Sequence, residues 1–250
     1  MFRRQSQKRI LHFLVIISLF SLLLTLAIAL SPPKIQVEFQ WRKQPTGLMF
    51  IFICALGMIS VFFPKQCSQI FHDNKTTTSS NVEVYGKASS QRSSDVFGVT
   101  LTHGHHPECR SFYHHEFRVS EKTYCVACIG LFFGAVTAVF GAFPYFFLDW
   151  LVGIDALVLV AFGINGVALC LMHYTFFDVH SRFLRFLLNV FFIFGMFLIL
   201  AGIDHIVQSL TLNFFLIGLF IFWLFTRIIL SKNKHKEICQ NCHFDCNLKK

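Results

Sequence analysis

Residues 102–134 read THGHHPECRSFYHHEFRVSEKTYCVACIGLFFG. Two kinds of information meet there. The pair His106-x-x-Cys109 is followed, after fifteen residues, by the pair Cys125-x-x-Cys128. The chain then turns apolar, and the run that opens at Ile129 continues to residue 147. The first part has the spacing of a two-knuckle metal site. The second has the length of a membrane helix, since ~20 residues rising ~1.5 Å each cover a hydrocarbon core of ~30 Å. The candidate site and the fold share one boundary.

The same apolar signal recurs along the chain, at 10–30, 47–63, 129–147, 151–174, 183–201 and 209–230. The 250-residue chain is 54% hydrophobic with 33 Phe, a mean hydropathy of +0.58 and only 14% charged residues, too little polar cover for a soluble domain of this size. Inside lipid every backbone polar group must be bonded within the protein, so each run is read as a helix. The expected fold is all-α: a polytopic membrane helix bundle with six transmembrane helices and a small cytoplasmic zinc-ribbon-like insertion. Its expected parts are a two-helix hairpin (1–66), a flexible polar linker (67–98), a His/Cys metal module (99–128), a four-helix bundle (129–230) and a basic, Cys-rich tail (231–250). The first run has a rival reading. Arg3, Arg4, Lys8 and Arg9 precede it and Ala27-Ile28-Ala29 looks like a cleavage site, the pattern of a secretory signal peptide. Its ~20 apolar residues exceed the usual ~7–15, so it is read as an uncleaved anchor.

Lys and Arg are retained on the cytoplasmic side of a membrane. Four precede the first run, Arg182 and Arg185 flank the fifth, and Arg227, Lys232, Lys234, Lys236, Lys249 and Lys250 lie at the end of the chain. The loop at 31–46 dissents, with Lys34, Arg42 and Lys43. The majority places both termini of a multi-pass cell-membrane protein in the cytoplasm, together with residues 64–124. The net charge of +9 then suits anionic lipid, so the lipid bilayer is the expected partner and nucleic acid is not. The Ser/Thr/Asn-rich stretch 73–95 reads as the linker, and its sequon Asn74-Lys75-Thr76 would go unused in the cytoplasm.

Cytoplasmic thiols stay reduced, so the nine cysteines argue for metal rather than for disulfides. Zinc takes four Cys or His ligands in a tetrahedron, and two ligand pairs complete the shell. Cys109, Cys125, Cys128 and His106 are the candidate ligands, with zinc the expected ion. Between the pairs, residues 117–119 and 122–124 alternate around Ser120-Glu121, as a hairpin would. A second group, Cys239-x-x-Cys242-x-x-x-Cys246, follows the last run. It could hold its own ion with His243 or His235, lend Cys239 and Cys242 to the first site, or act as a redox thiol pair. Cys239 to His243 also spells the c-type haem attachment pattern, at odds with a cytoplasmic tail. Cys54 and Cys170 lie inside apolar runs as small core residues, and Cys67 has no partner spacing.

Four more histidines, His103, His105, His114 and His115, exceed what one tetrahedral site can use. They orient ligands or face solvent, or they form an open metal site. Polar groups at membrane depth are costly, which makes Asp155, Asn165, Asn189 and Asp204 worth following. Around the turn near 174–182 lie His173, Asp178, His180, Arg182 and Arg185. Gly130, Gly134, Ala138 and Gly141 or Ala142 fall on one face at four-residue steps, a small-residue face suited to packing within the bundle or to a homo-oligomer.

The block HHPECRSF…YCVACIGLFFGA resembles a family of small prokaryotic polytopic membrane proteins of unknown function. In that family a His/Cys element and Arg-Ser-Phe precede a Cys-x-x-Cys-x-Gly that opens a membrane helix. The matching positions here are Cys109, Arg110, Ser111, Phe112, Cys125, Cys128 and Gly130. This chain reads Cys-Val-Ala-Cys-Ile-Gly where the family has Cys-Ala-Arg-Cys-Thr-Gly. The resemblance implies an integral membrane protein and no particular reaction. Three functions stay open at this point: a membrane protein with a structural zinc site, a membrane-embedded metal-dependent enzyme using the His-rich loop, and a metal or small-solute transporter using Asn165, Asn189 and Asp204.

Overall fold

The computed structural model describes residues 2–33, 40–62, 95–96, 99–100, 116–119, 122–148, 153–177, 179 and 181–240. Among the described residues six α-helices carry the fold. The first is Phe2–Leu30; the second, Lys43–Phe62, continues the short 3-10 turn Gln40–Arg42. The third to sixth are Val126–Phe147, Ala156–His173, Arg182–Val207 and Leu210–Gln240. Each contains a stretch long and apolar enough to cross a membrane.

The helix ends differ from the apolar runs for local reasons. The fourth helix starts at Ala156 because Asp155 caps it, its carboxylate accepting the Leu157 amide at 2.7 Å. Asp155 is therefore a capping group at the helix end, not a residue at membrane depth. The fifth helix runs on through Asp204 to Val207 and stops at Gln208, whose left-handed φ of 57° closes the last turn. The sixth reaches Gln240, since Lys, Glu and Gln are good helix formers whatever their polarity. Residues 231–240 thus extend a helix, where a tail was expected.

Among the described residues four short strands lie between the second and third helices. β1 (Asp95–Val96) pairs with β2 (Val99–Thr100), and β3 (Glu116–Val119) with β4 (Lys122–Cys125), both antiparallel. The second pair is the expected hairpin, with Val119 opposite Lys122 and Glu116 opposite Cys125. The knuckle at His106 and Cys109 lies outside the described residues, so the hairpin is present while a whole zinc ribbon is not shown.

The fifth helix is the hub, packed chiefly between the third and the fourth. Glycines permit this. A Cβ on Gly163 would stand 2.6 Å from the Gly195 carbonyl oxygen, and one on Gly195 2.8 Å from that of Gly163, so the two backbones meet directly. Gly130 and Gly134 do the same on the third helix, against the Phe186 and Val190 carbonyls. That small-residue face packs inside the chain. The first helix packs mainly on the fourth and sixth, the second mainly on the third.

Polarity is distributed inside out. Phe13, Phe20, Phe140, Phe162, Phe183 and Phe215 are exposed. Ser18, Ser21, Thr25, Asn189, Asp204, Asn213, Thr226 and Arg227 are buried. Buried hydroxyls tie the first helix to the sixth: Ser18 Oγ lies 3.3 Å from Thr226 Oγ1, and Trp223 Nε1 donates to Ser21 Oγ at 2.8 Å. Apolar rings outward and hydrogen-bonded polar groups inward suit a lipid surround.

Candidate functional site

Cys125 is the last residue of β4 and the residue before the third helix. Its backbone is extended (φ −72°, ψ 120°), and its side chain makes no capping bond to the helix. Cys128 follows in the first helical turn. The sequence pattern of a hairpin running straight into an apolar helix thus places the two thiols on either side of a strand-to-helix turn. Cys125 is buried, Cys128 half-buried, and neither forms a disulfide.

Two thiols three residues apart across such a turn are a donor set that suits zinc. Among the described residues no three His, Cys, Asp or Glu side chains come together as a metal site. His106, Cys109, Cys242 and Cys246 lie outside the described residues, as do His103, His105, His114 and His115. Cys239 is in the last turn of the sixth helix, with only its backbone described. Cys54 and Cys170 are buried apolar-core residues, as expected.

A polar cluster lies close by, and sequence reasoning counted its central member only as a tail charge. Arg227, 5% exposed, donates through Nε at 3.1 Å and Nη2 at 2.6 Å to the one Asn189 Oδ1. Asn189, fully buried, in turn donates Nδ2 to the Arg185 carbonyl at 2.6 Å. The Arg227 guanidinium stands 5.8 Å from the centre of the Tyr174 ring, a cation–π distance. Tyr174 leans on His173, whose Nδ1 lies 2.5 Å from the Cys170 carbonyl oxygen. Burial raises the Tyr174 phenol above its ordinary pKa, and the neighbouring Arg227 charge opposes that rise. Arg227 lies within electrostatic reach of Cys125 and Cys128.

A second buried cluster occupies the opposite end of the bundle. Asp204 is fully buried and receives Asn213 Nδ2 at 2.7 Å and the Tyr145 hydroxyl at 3.1 Å. Arg42 Nε stands 3.6 Å from Asp204 Oδ1. Thr46 Oγ1 donates to the Arg42 carbonyl at 3.1 Å, and Lys43 Nζ sits 5.1 Å from the centre of the Tyr145 ring. Arg42 is therefore one half of a buried ion pair, not the loop charge its sequence position suggested.

Of the polar residues singled out at membrane depth, Asn189 and Asp204 are buried and networked. Asn165 is not: it is exposed on the fourth helix and donates to the Ala161 carbonyl one turn back, at 2.8 Å. One signal could have found Arg227, namely a lone arginine inside an otherwise apolar run.

Helix lengths, the inside-out polarity and the glycine-mediated packing define a multi-pass helix-bundle protein of the membrane-spanning kind. No protein-family model, no curated protein and no solved structure matches the chain.

Proposed function

We propose that this chain is an integral protein of the cell membrane, with both termini cytoplasmic, in which one zinc ion fastens the polar segment ahead of the third helix to the bundle. Cys125 and Cys128 hold the ion together with His106 and Cys109. The observation that carries this reading is the strand-to-helix turn between Cys125 and Cys128, delivered by the β3–β4 hairpin. Four such ligands close the coordination shell, so the ion acts structurally and offers no position for a substrate or water. Cys239, Cys242 and Cys246 either bind a second ion or join the first. The cytoplasmic orientation rests on the Lys and Arg distribution. The dissenting loop weakens as a counter-argument, because the Arg42 charge is offset by Asp204.

The transporter reading loses ground with Asn165, whose side chain bonds to its own helix on the exposed surface. The enzyme reading needs an open site on the surplus histidines. Mutagenesis of the full-length protein separates it from the structural one. Cys125→Ser should lower bound zinc and the unfolding temperature together, because ligation and folding are coupled. His106→Ala should weaken zinc binding, while His114→Ala and His115→Ala leave zinc content unchanged. Dependence on His114 or His115 instead of His106 would transfer the assignment to an open, catalytic centre.

A further inference from the structure

The buried contacts of the sixth helix fix its register on two neighbours. Against the fifth helix, Arg227 meets Asn189 and Asn213 meets Asp204. Against the first, Thr226 meets Ser18 and Trp223 meets Ser21. All α-helices rise by the same step, so levels can be counted along the chains from these contacts. Arg182 of the fifth helix then stands level with Lys234 of the sixth, Arg185 beside Lys232, and Arg9 of the first helix beside Lys234. Three neighbouring helices thus carry a row of cations at one depth. Arg9 and Lys232 are exposed, and Arg182, Arg185 and Lys234 are half-buried. The Val179 carbonyl accepts Arg185 Nε at 2.7 Å and steadies that guanidinium in the row. On the sixth helix the carboxylate Glu237 lies about a turn beyond Lys234. At the opposite end of the bundle Arg42 is offset by Asp204.

The row lies at the depth of lipid phosphates. Along the fifth helix Arg182 and Asp204 are roughly 33 Å apart at ~1.5 Å per residue, close to one hydrocarbon thickness of ~30 Å. Phe13 and Phe183 lie beside the row, and Phe20 and Phe191 about two turns deeper. All four rings are exposed, so acyl chains have apolar surface to lie against below the charges. We infer that the ends of the first, fifth and sixth helices form a binding site for the phosphate of an anionic phospholipid, built on Arg9, Arg182, Arg185, Lys232 and Lys234. Arginine pairs with phosphate through a planar fork of N–H donors, and lysine adds a mobile point charge. A headgroup held by all three helices also ties their ends together. The inference needs only the membrane-spanning bundle and is independent of the zinc reading.

The test titrates the purified full-length protein, in mild detergent, with phosphatidylglycerol or phosphatidylcholine, read by native mass spectrometry beside the unfolding temperature. The wild type should prefer phosphatidylglycerol by on the order of 10-fold or more, and high salt should erase the preference by screening. Lys232→Gln and Lys234→Gln should each weaken phosphatidylglycerol binding about 5-fold, the usual effect of one cation near a lipid surface. Arg182→Gln should do the same, and Lys43→Gln, at the opposite end, should change nothing. Glycerol phosphate, which has the headgroup and no chains, should compete poorly; competition as strong as that of the lipid would assign the row to a free phosphate and overturn the lipid reading. Equal binding of the two lipids by the wild type would overturn the inference. So would unchanged phosphatidylglycerol affinity in Lys232→Gln with Lys234→Gln, or in the exposed Lys232→Gln alone if the double variant fails to fold.

Discussion

Among the described residues two arginines are buried, one near each end of the bundle, and they are compensated differently. Arg42 has a carboxylate 3.6 Å away, and Asp204 in turn collects Asn213 and Tyr145. Arg227 has Asn189 and the face of Tyr174. The first cluster pairs charge with charge, although Arg42 Nε and Asn213 Oδ1 make no hydrogen bond. Its members come from the 3-10 turn that leads into the second helix and from the third, fifth and sixth helices, so the cluster fastens four elements. In the second, among the described residues, no carboxylate pairs with Arg227. The contrast is between an arginine locked to a carboxylate and one held by an amide oxygen and a ring.

The largest effect expected of a single change is at the lock. Asp204→Ala leaves Arg42 buried without its carboxylate and should cost about 3–5 kcal/mol of unfolding free energy. Denaturant unfolding in detergent measures it, and the double variant Arg42→Gln with Asp204→Asn should lose much less than Asp204→Ala. A loss under about 1 kcal/mol for Asp204→Ala would mean that the pair carries no compensated charge, and the contrast between the two ends would vanish.

A smaller effect is expected at the other aspartate of this part of the chain. Asp155 is exposed and caps the fourth helix, so Asp155→Ala should cost about 1 kcal/mol, and Asp155→Ser almost nothing. Equal losses for Asp155→Ala and Asp204→Ala would show that burial does not separate the two carboxylates. The smallest effect is expected at Asn165. Its amide serves only its own helix, and Asn165→Ala should change stability by less than about 0.5 kcal/mol in the same assay. A larger loss would restore a polar path through the fourth helix.

The six helices were legible because apolar length is a local property of the chain, and membrane thickness sets the scale. The β3–β4 hairpin was legible for a similar reason, since alternation around Ser120-Glu121 is read residue by residue. The Asp155 cap was also within reach, as an aspartate directly ahead of an apolar run is a helix-start signal. The two arginine clusters were not legible. Arg42 and Asp204 meet only because the second and fifth helices arrive at the same end of the bundle, and nothing near either residue in sequence announces the other. The same applies to the Gly130 and Gly134 face, whose partners Phe186, Asn189 and Val190 belong to a different helix. Charge was misread in both clusters for one physical reason: a basic residue was counted as water-facing, when a buried partner or ring had taken it out of solvent.

The central proposal is that the turn between Cys125 and Cys128 holds zinc through thiolates. X-ray absorption at the zinc edge on the purified, full-length protein tests it most directly. The expected spectrum shows zinc with about three sulfur neighbours at ~2.3 Å and about one nitrogen at ~2.0–2.1 Å, and loses sulfur scattering in Cys125→Ser. Protein purified without zinc, or zinc surrounded by nitrogen and oxygen alone, would contradict the claim.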